Sequence, residues 1–222
     1  MSNIKVICFD YYGTLVNLNN PFNEIKQWIV KEWGQRHNVL YRKFIREYSS
    51  LLATGVFIRG EDVLNQALET VCNKNQLFFP RERFQRFVRE LFITPSVYED
   101  THEVIASLQK KYKVGILSNA DNVIIQKSIW KQQIKVNFLI TSEDAEANKP
   151  DPAIFMYAAE KLHVRTNEML MVGDSIRDDI LGAQQAGLSV IWINRTKTIL
   201  EKENLLQVNT VSSLIELLAV LE

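Results

Sequence analysis

The sequence predicts an α/β fold: a parallel sheet with helices on both faces, and a small helical domain inserted after the first strand. Three observations carry this reading. A short apolar run, residues 4–9, ends at Asp10 and reads as a buried strand stopped by a polar turn. Residues 20–95 show helical period and little strand signal. From residue 96 onward, apolar runs alternate with helical stripes, the pattern of a parallel sheet flanked by helices.

In chain order, the turn after the first strand is Asp10-Tyr11-Tyr12-Gly13-Thr14. Asn20-Pro21 then supplies a cap and a first-turn proline, and Phe22, Ile25, Ile29 and Trp33 follow at helical spacing. Phe44, Ile45, Tyr48, Leu51 and Leu52 form a second stripe. Val63, Leu64, Ala67, Leu68 and Val71 form a third after Gly60, and Phe84, Phe87, Val88, Leu91 and Phe92 a fourth after Pro80. Four amphipathic helices with short connectors suggest a small bundle. Beyond it, residues 114–117, 138–141, 170–172 and 190–193 read as buried strands. Val104, Ile105, Leu108 and Tyr112, then Ile154, Phe155, Ala158 and Leu162, mark helices between them. The N-terminal strand belongs in the same sheet. The expected organisation is a Rossmann-like core of residues 1–17 and 96–222, with residues 18–95 a four-helix cap domain.

Composition narrows the function. The 222 residues are 46% apolar and 23% charged, enough to bury roughly 70% of the unfolded surface. Twenty-six basic and 26 acidic side chains give no net charge, which argues against a sequence-independent nucleic-acid binder. No apolar run approaches the ~20 residues of a membrane span, and Met1-Ser2-Asn3-Ile4-Lys5 lacks a signal-peptide pattern. Cys8 and Cys72 make no metal motif or disulfide framework, and His37, His102 and His163 share no ligand spacing. A cytoplasmic enzyme acting on a small molecule is expected, as a monomer or homodimer with no nucleic-acid or membrane partner.

Ligands of such sheets bind at the carboxyl ends of the strands. There stand Asp10, then Ser118 and Asn119, then Lys149, then Gly173, Asp174 and Ser175 with Asp178 and Asp179 close behind. Carboxylates crowded at one edge repel, and require protons or a cation. Oxygen ligands with open water positions suit Mg²⁺. A lysine and a hydroxyl beside them would hold an anionic substrate and the charge that develops on it. Carboxylate nucleophile, Mg²⁺, lysine and hydroxyl make a phosphoryl-transfer site.

At these residues the chain resembles the haloacid dehalogenase-like hydrolase superfamily. Phe9-Asp10-Tyr11-Tyr12-Gly13-Thr14-Leu15 is similar to its first motif and Leu117-Ser118-Asn119 to its second. Asn148-Lys149-Pro150-Asp151-Pro152 is similar to the third. Val172-Gly173-Asp174-Ser175 with Asp178-Asp179 is similar to the fourth. The resemblance implies that Asp10 is the nucleophile of a covalent aspartyl intermediate. It further implies that Ser118 and Asn119 bind the transferred group, that Lys149 neutralises the nucleophile, and that Thr14 shapes the site. Mg²⁺ would be held by Asp10, Asp174, the Tyr12 carbonyl, and Asp179 in preference to Asp178. Phosphatases of the superfamily carry an acid two residues after the nucleophile. Tyr12 stands there, as in the haloacid dehalogenases proper. Tyr41-Arg42 with Glu47-Tyr48 is similar to their substrate-arginine segment. Asp174 and Phe155, however, stand where they have serine and tyrosine. The expectation is a Mg²⁺-dependent phosphatase. The alternatives are a metal-independent 2-haloacid dehalogenase, or a weakly active or binding member.

Overall fold

The structure, a computed structural model, describes residues 3–34, 37–198 and 208–221. Strand β1 (Val6–Phe9) leads through a tight loop to the two-residue β2 (Val16–Asn17). Four helices follow: α1 (Pro21–Trp33), α2 (His37–Leu52), α3 (Gly60–Lys74) and α4 (Arg81–Ile93). Strand β3 (Ser96–Val97) then pairs antiparallel with β2, so the chain leaves for the bundle and returns from it through one short ribbon. Helix α5 (Thr101–Leu108), β4 (Lys113–Ser118), α6 (Asn122–Lys131), β5 (Phe138–Thr141), α7 (Ser142–Ala145) and α8 (Pro152–Leu162) come next. The chain closes with β6 (Met169–Gly173), α9 (Gly182–Gln185), β7 (Ser189–Ile193), β8 (Asn209–Val211) and α10 (Leu214–Leu221).

The six longer strands form a sheet of order β5-β4-β1-β6-β7-β8, parallel at every pairing. Strand β1 is buried along its whole length, because helices cover both sheet faces. Its Ile7 and Phe9 enter one apolar cluster, its Val6 and Cys8 the other. That is why the run reads as continuous rather than alternating apolar residues. A third cluster, around Ile29, Phe44, Leu68 and Phe84, lies within the four-helix bundle.

The chain passes from β1 to β4 on one side and later to β6 on the other. Asp10 therefore sits at the reversal of strand order, where a crevice opens at the carboxyl ends of the strands. Register does the rest. Phe9 is level with Ile116 and with Val172, so Ser118 and Asp174 each stand one residue beyond the level of Asp10.

Candidate active site

Asp10 is held at its backbone, where its N–H donates to the Val172 carbonyl at 2.9 Å. Its Oδ1 accepts from Ser118 Oγ at 3.0 Å and from Lys149 Nζ at 2.7 Å. Lys149 also donates to Asp179 Oδ1 at 2.6 Å and to the Leu117 carbonyl at 3.0 Å. Its three protons thus meet three acceptors. Lys149 is buried, which alone would lower its pKa. The Asp10 and Asp179 carboxylates outweigh burial and hold it above its ordinary value.

Local chemistry explains how each group arrives. Asn119 accepts from the Lys149 N–H at 2.7 Å and donates to the Lys149 carbonyl at 2.9 Å, clamping the lysine loop to the end of β4. Asp151 then caps α8 through the Ala153 N–H, with Pro152 in the first turn. After β6, Ser175 caps a π-helical turn over Ile176–Leu181. This wider turn points Asp179 inward, where its Oδ2 accepts from the Ser175 N–H at 3.0 Å. Asp178 stays half-exposed beside Arg177, so of the two acids Asp179 is the one brought to the site. Gly173 is required here, since a Cβ would collide with the Asp179 side chain. Gly13 is required too. Its φ is +95°, and a Cβ there would strike the Asp174 carboxylate.

One oxygen each from Asp10, Asp174 and Asp179 lies within 4.8 Å of the others, an all-oxygen donor set that fits Mg²⁺. With no cation between them, burial first and Asp10 next push the Asp174 carboxyl up to about 6, against the pull of Lys149 and Thr14. Asp174 is exposed, so water screens part of this effect. Asp179 is buried, and burial raises it to about 7 against Lys149, with Asp10 adding to the rise. Both acids bind protons more tightly folded than unfolded. Their contribution is therefore most favourable below about pH 4 and is lost as pH rises through 6 to 7. In EDTA, Tm is expected to fall between pH 5 and pH 8, and Asp179→Asn should flatten that slope. Scanning calorimetry across the range checks it, and an unchanged slope in the variant removes Asp179 as its source.

Thr14, Arg42 and the Tyr12 hydroxyl make no contact with Asp10 or Lys149 among the hydrogen bonds above. Thr14 is fully buried and its hydroxyl reaches Asp174 at 3.4 Å, so it shapes the acid cluster. Arg42 is exposed on α2 and lines neither cavity described below. Leu40 and Phe44 are buried, and position 42 lies ~200° around the helix from each. The Tyr12 hydroxyl donates to the Phe92 carbonyl at 3.0 Å. Burial first, then Tyr11, Asp10 and Asp121, hold its pKa well above 10, so it is a poor proton donor to a leaving group. Cys8 is buried, and burial raises its thiol to about 12, which disfavours the thiolate.

Two supporting groups were missed. Helix α3 has no side-chain cap of its own. Instead Asp121, from the β4–α6 loop, accepts from the Gly60 and Glu61 N–H groups, both at 2.7 Å. An acid ahead of α6 reads as that helix's own cap, and nothing local signals a partner 60 positions away. Arg195 donates to the Thr14 carbonyl at 2.9 Å and pairs with Asp100 at 3.0 Å, bracing the loop after Asp10.

A family model described as "Hydrolase: haloacid dehalogenase-like hydrolase" matches residues 4–187. The chain is 27% identical over 206 residues to (S)-2-haloacid dehalogenase 2 of Pseudomonas sp. (strain CBS-3), covering 91% of this chain and 89% of the relative. It is 30% identical over 127 residues to N-acylneuraminate-9-phosphatase of Homo sapiens, covering 56% of this chain and 51% of the relative. The crystal structure of the L-2-haloacid dehalogenase PA0810 shares the fold, with a TM-score of 0.77 at 19% identity, covering 99% of this chain and 100% of that one. These relatives back the dehalogenase alternative better than the phosphatase expectation.

Proposed function

Because the chain belongs to the haloacid dehalogenase-like hydrolase family, we propose that it hydrolyses a small molecule through a covalent aspartyl intermediate on Asp10 and expels a group that leaves without a proton. Tyr12 carries this reading. It occupies the place of the general acid, and its hydroxyl is committed to the Phe92 carbonyl. A positioned acid is worth ~10²–10⁴-fold for a basic leaving group, and that help is missing here.

The first substrate class is a 2-haloacid, toward which the near-full-length relative weighs. The Asp10 carboxylate attacks the carbon bearing the halogen. The carbon–halogen bond breaks, and halide departs with the bonding pair. Water then adds to the Asp10 carbonyl carbon, releasing the hydroxyacid and restoring the carboxylate. Lys149 and Ser118 orient Asp10 throughout. Residues 18–95 act as a cap that encloses the substrate.

A second reading, hydrolysis of an activated phosphate, is favoured by Asp174, which has no place in metal-free dehalogenation. Asp10, Asp174 and Asp179 would hold Mg²⁺, with the Tyr12 carbonyl as a further ligand. The ion would neutralise these acids and the phosphoryl oxygens. Ser118 and Lys149 would face the transferred group. Acyl and aryl phosphates suit this site better than alkyl esters.

Release of chloride from L-2-chloropropionate and of phosphate from p-nitrophenyl phosphate, each with Mg²⁺ and with EDTA, separates the readings. Dehalogenation persists in EDTA and survives Asp174→Ser. Phosphatase activity is lost in both. Turnover of neither substrate class overturns the proposal. If phosphate is released, Tyr12→Asp should speed alkyl phosphates by ~10²-fold or more while changing aryl phosphates little. Equal effects on both would mean that Tyr12 imposes no leaving-group limit.

A further inference from the structure

An apolar cavity of about 210 Å³ lies between the helical bundle and the core, walled by Phe22, Ile25, Leu64, Val88, Phe92 and Ile124. It shares Tyr48, Gly60, Asn119 and Ala120 with a neighbouring larger cleft of about 750 Å³ whose lining includes Lys149. Tyr12, two residues after Asp10, also lines the apolar space, so a molecule that reacts at Asp10 can extend its other end into it.

Most polar groups around that space are already committed; among the described residues, the Tyr48 hydroxyl and Glu61 Oε1 are the ones without a hydrogen bond. The Asp121 carboxylate takes the Gly60 and Glu61 amides, and Glu61 pairs with Arg89 at 2.9 Å. The Tyr12 hydroxyl is spent on Phe92, and both ends of the Asn119 amide on Lys149. Among the described residues, no lysine or arginine lines the cavity. A polyhydroxylated sugar or a nucleobase placed there would lose more hydrogen bonds to water than the Tyr48 hydroxyl and Glu61 Oε1 return, which is unfavourable.

We propose that this cavity receives an apolar part of the substrate, a ring of benzene size with a short substituent or a branched alkyl chain, and that it sets substrate preference. The proposal rests on the hydrolase reading above and names the substrate's non-reacting end. An apolar cavity on the order of 150 Å³, lined by leucine, isoleucine and phenylalanine, is known to take benzene in another protein. The present one is larger. Each methylene buried in it should raise kcat/KM about fourfold, until the space is filled.

Two substrate series test this: L-2-chloro acids from chloropropionate to 2-chloro-3-phenylpropionate, and acyl phosphates from acetyl to phenylacetyl. In whichever series is turned over, kcat/KM should climb with apolar size and then drop. Leu64→Phe should shrink the ratio of large to small substrate by at least tenfold. A flat or falling series in an active enzyme overturns the proposal and leaves the hydrolase reading standing. If neither series is turned over, the hydrolase reading fails, and toluene decides the cavity separately. A toluene-dependent rise in Tm that Leu64→Phe removes supports the apolar site, and no rise overturns it. Should Leu64→Phe fail to fold, Val88→Leu takes its place in both measurements.

Discussion

Lys149→Met should lower Tm by roughly 6–20 °C and end turnover. The lysine side chain is only 2% exposed, and it faces Asp10 at 2.7 Å and Asp179 at 2.6 Å. Removing it strands two carboxylates with no countercharge. Breaking a buried pair in this way costs about 3–5 kcal/mol, and a chain of this length loses about 2–4 °C per kcal/mol. Surface pairs such as Lys74–Glu47 would cost far less, since exposed pairs contribute about 0–1 kcal/mol. Adding Asp179→Asn to Lys149→Met should recover part of the stability and none of the activity. Calorimetry at pH 7.5 in EDTA reads both variants. A change below ~2 °C for the single variant would show that the carboxylates take up protons at little cost, and that Lys149 is dispensable to the fold.

Asp10→Asn should reduce turnover by at least ~10⁴-fold while the fold survives; loss of a nucleophile in an unrelated hydrolase costs ~10⁶. The amide keeps the volume and an oxygen for Ser118, and Lys149 keeps Asp179. One of three crowded acids is gone, so Tm in EDTA should not fall. Both substrate readings need this carboxylate, which makes the variant a test of the covalent step alone. Rapid acid quench followed by mass spectrometry should find an adduct on the wild-type peptide containing Asp10 and none on the variant. More than a tenth of wild-type activity in a folded variant would remove the aspartyl intermediate.

What was legible in the sequence follows from how local the signals were. Buried strands appear as apolar runs; the bounds of Phe138–Thr141 match its run, and the other expected strands agree with the observed ones to within one or two residues at each end. Helices α1 to α4 each carry one apolar stripe, legible at 3.6-residue period. Strand β8 was not legible, because only Val211 of its three residues is buried. Helix α6 was hidden by Val123 and Trp130, which are exposed and blur its stripe. The acid cluster with Lys149 and Ser118 was legible because strand ends of a parallel sheet must share an edge. The exposed placement of Arg42 was not legible from its motif-like segment, because the buried face of α2 is set by Leu40 and Phe44. Asp121 was invisible as a brace because its partners depend on where the bundle docks, and no local pattern encodes that.

The Asp121 bond to the first turn of α3 makes one residue of the core responsible for two amides of the bundle. Swinging the bundle away exposes the Gly60 and Glu61 N–H groups to solvent, whereas ordinary fraying of α3 leaves the carboxylate in place to recapture them. Amide hydrogen exchange at these two positions therefore counts openings of the cleft directly. It needs neither a substrate nor a label, and its protection reads the population of the opened cleft through a pair of resolvable signals.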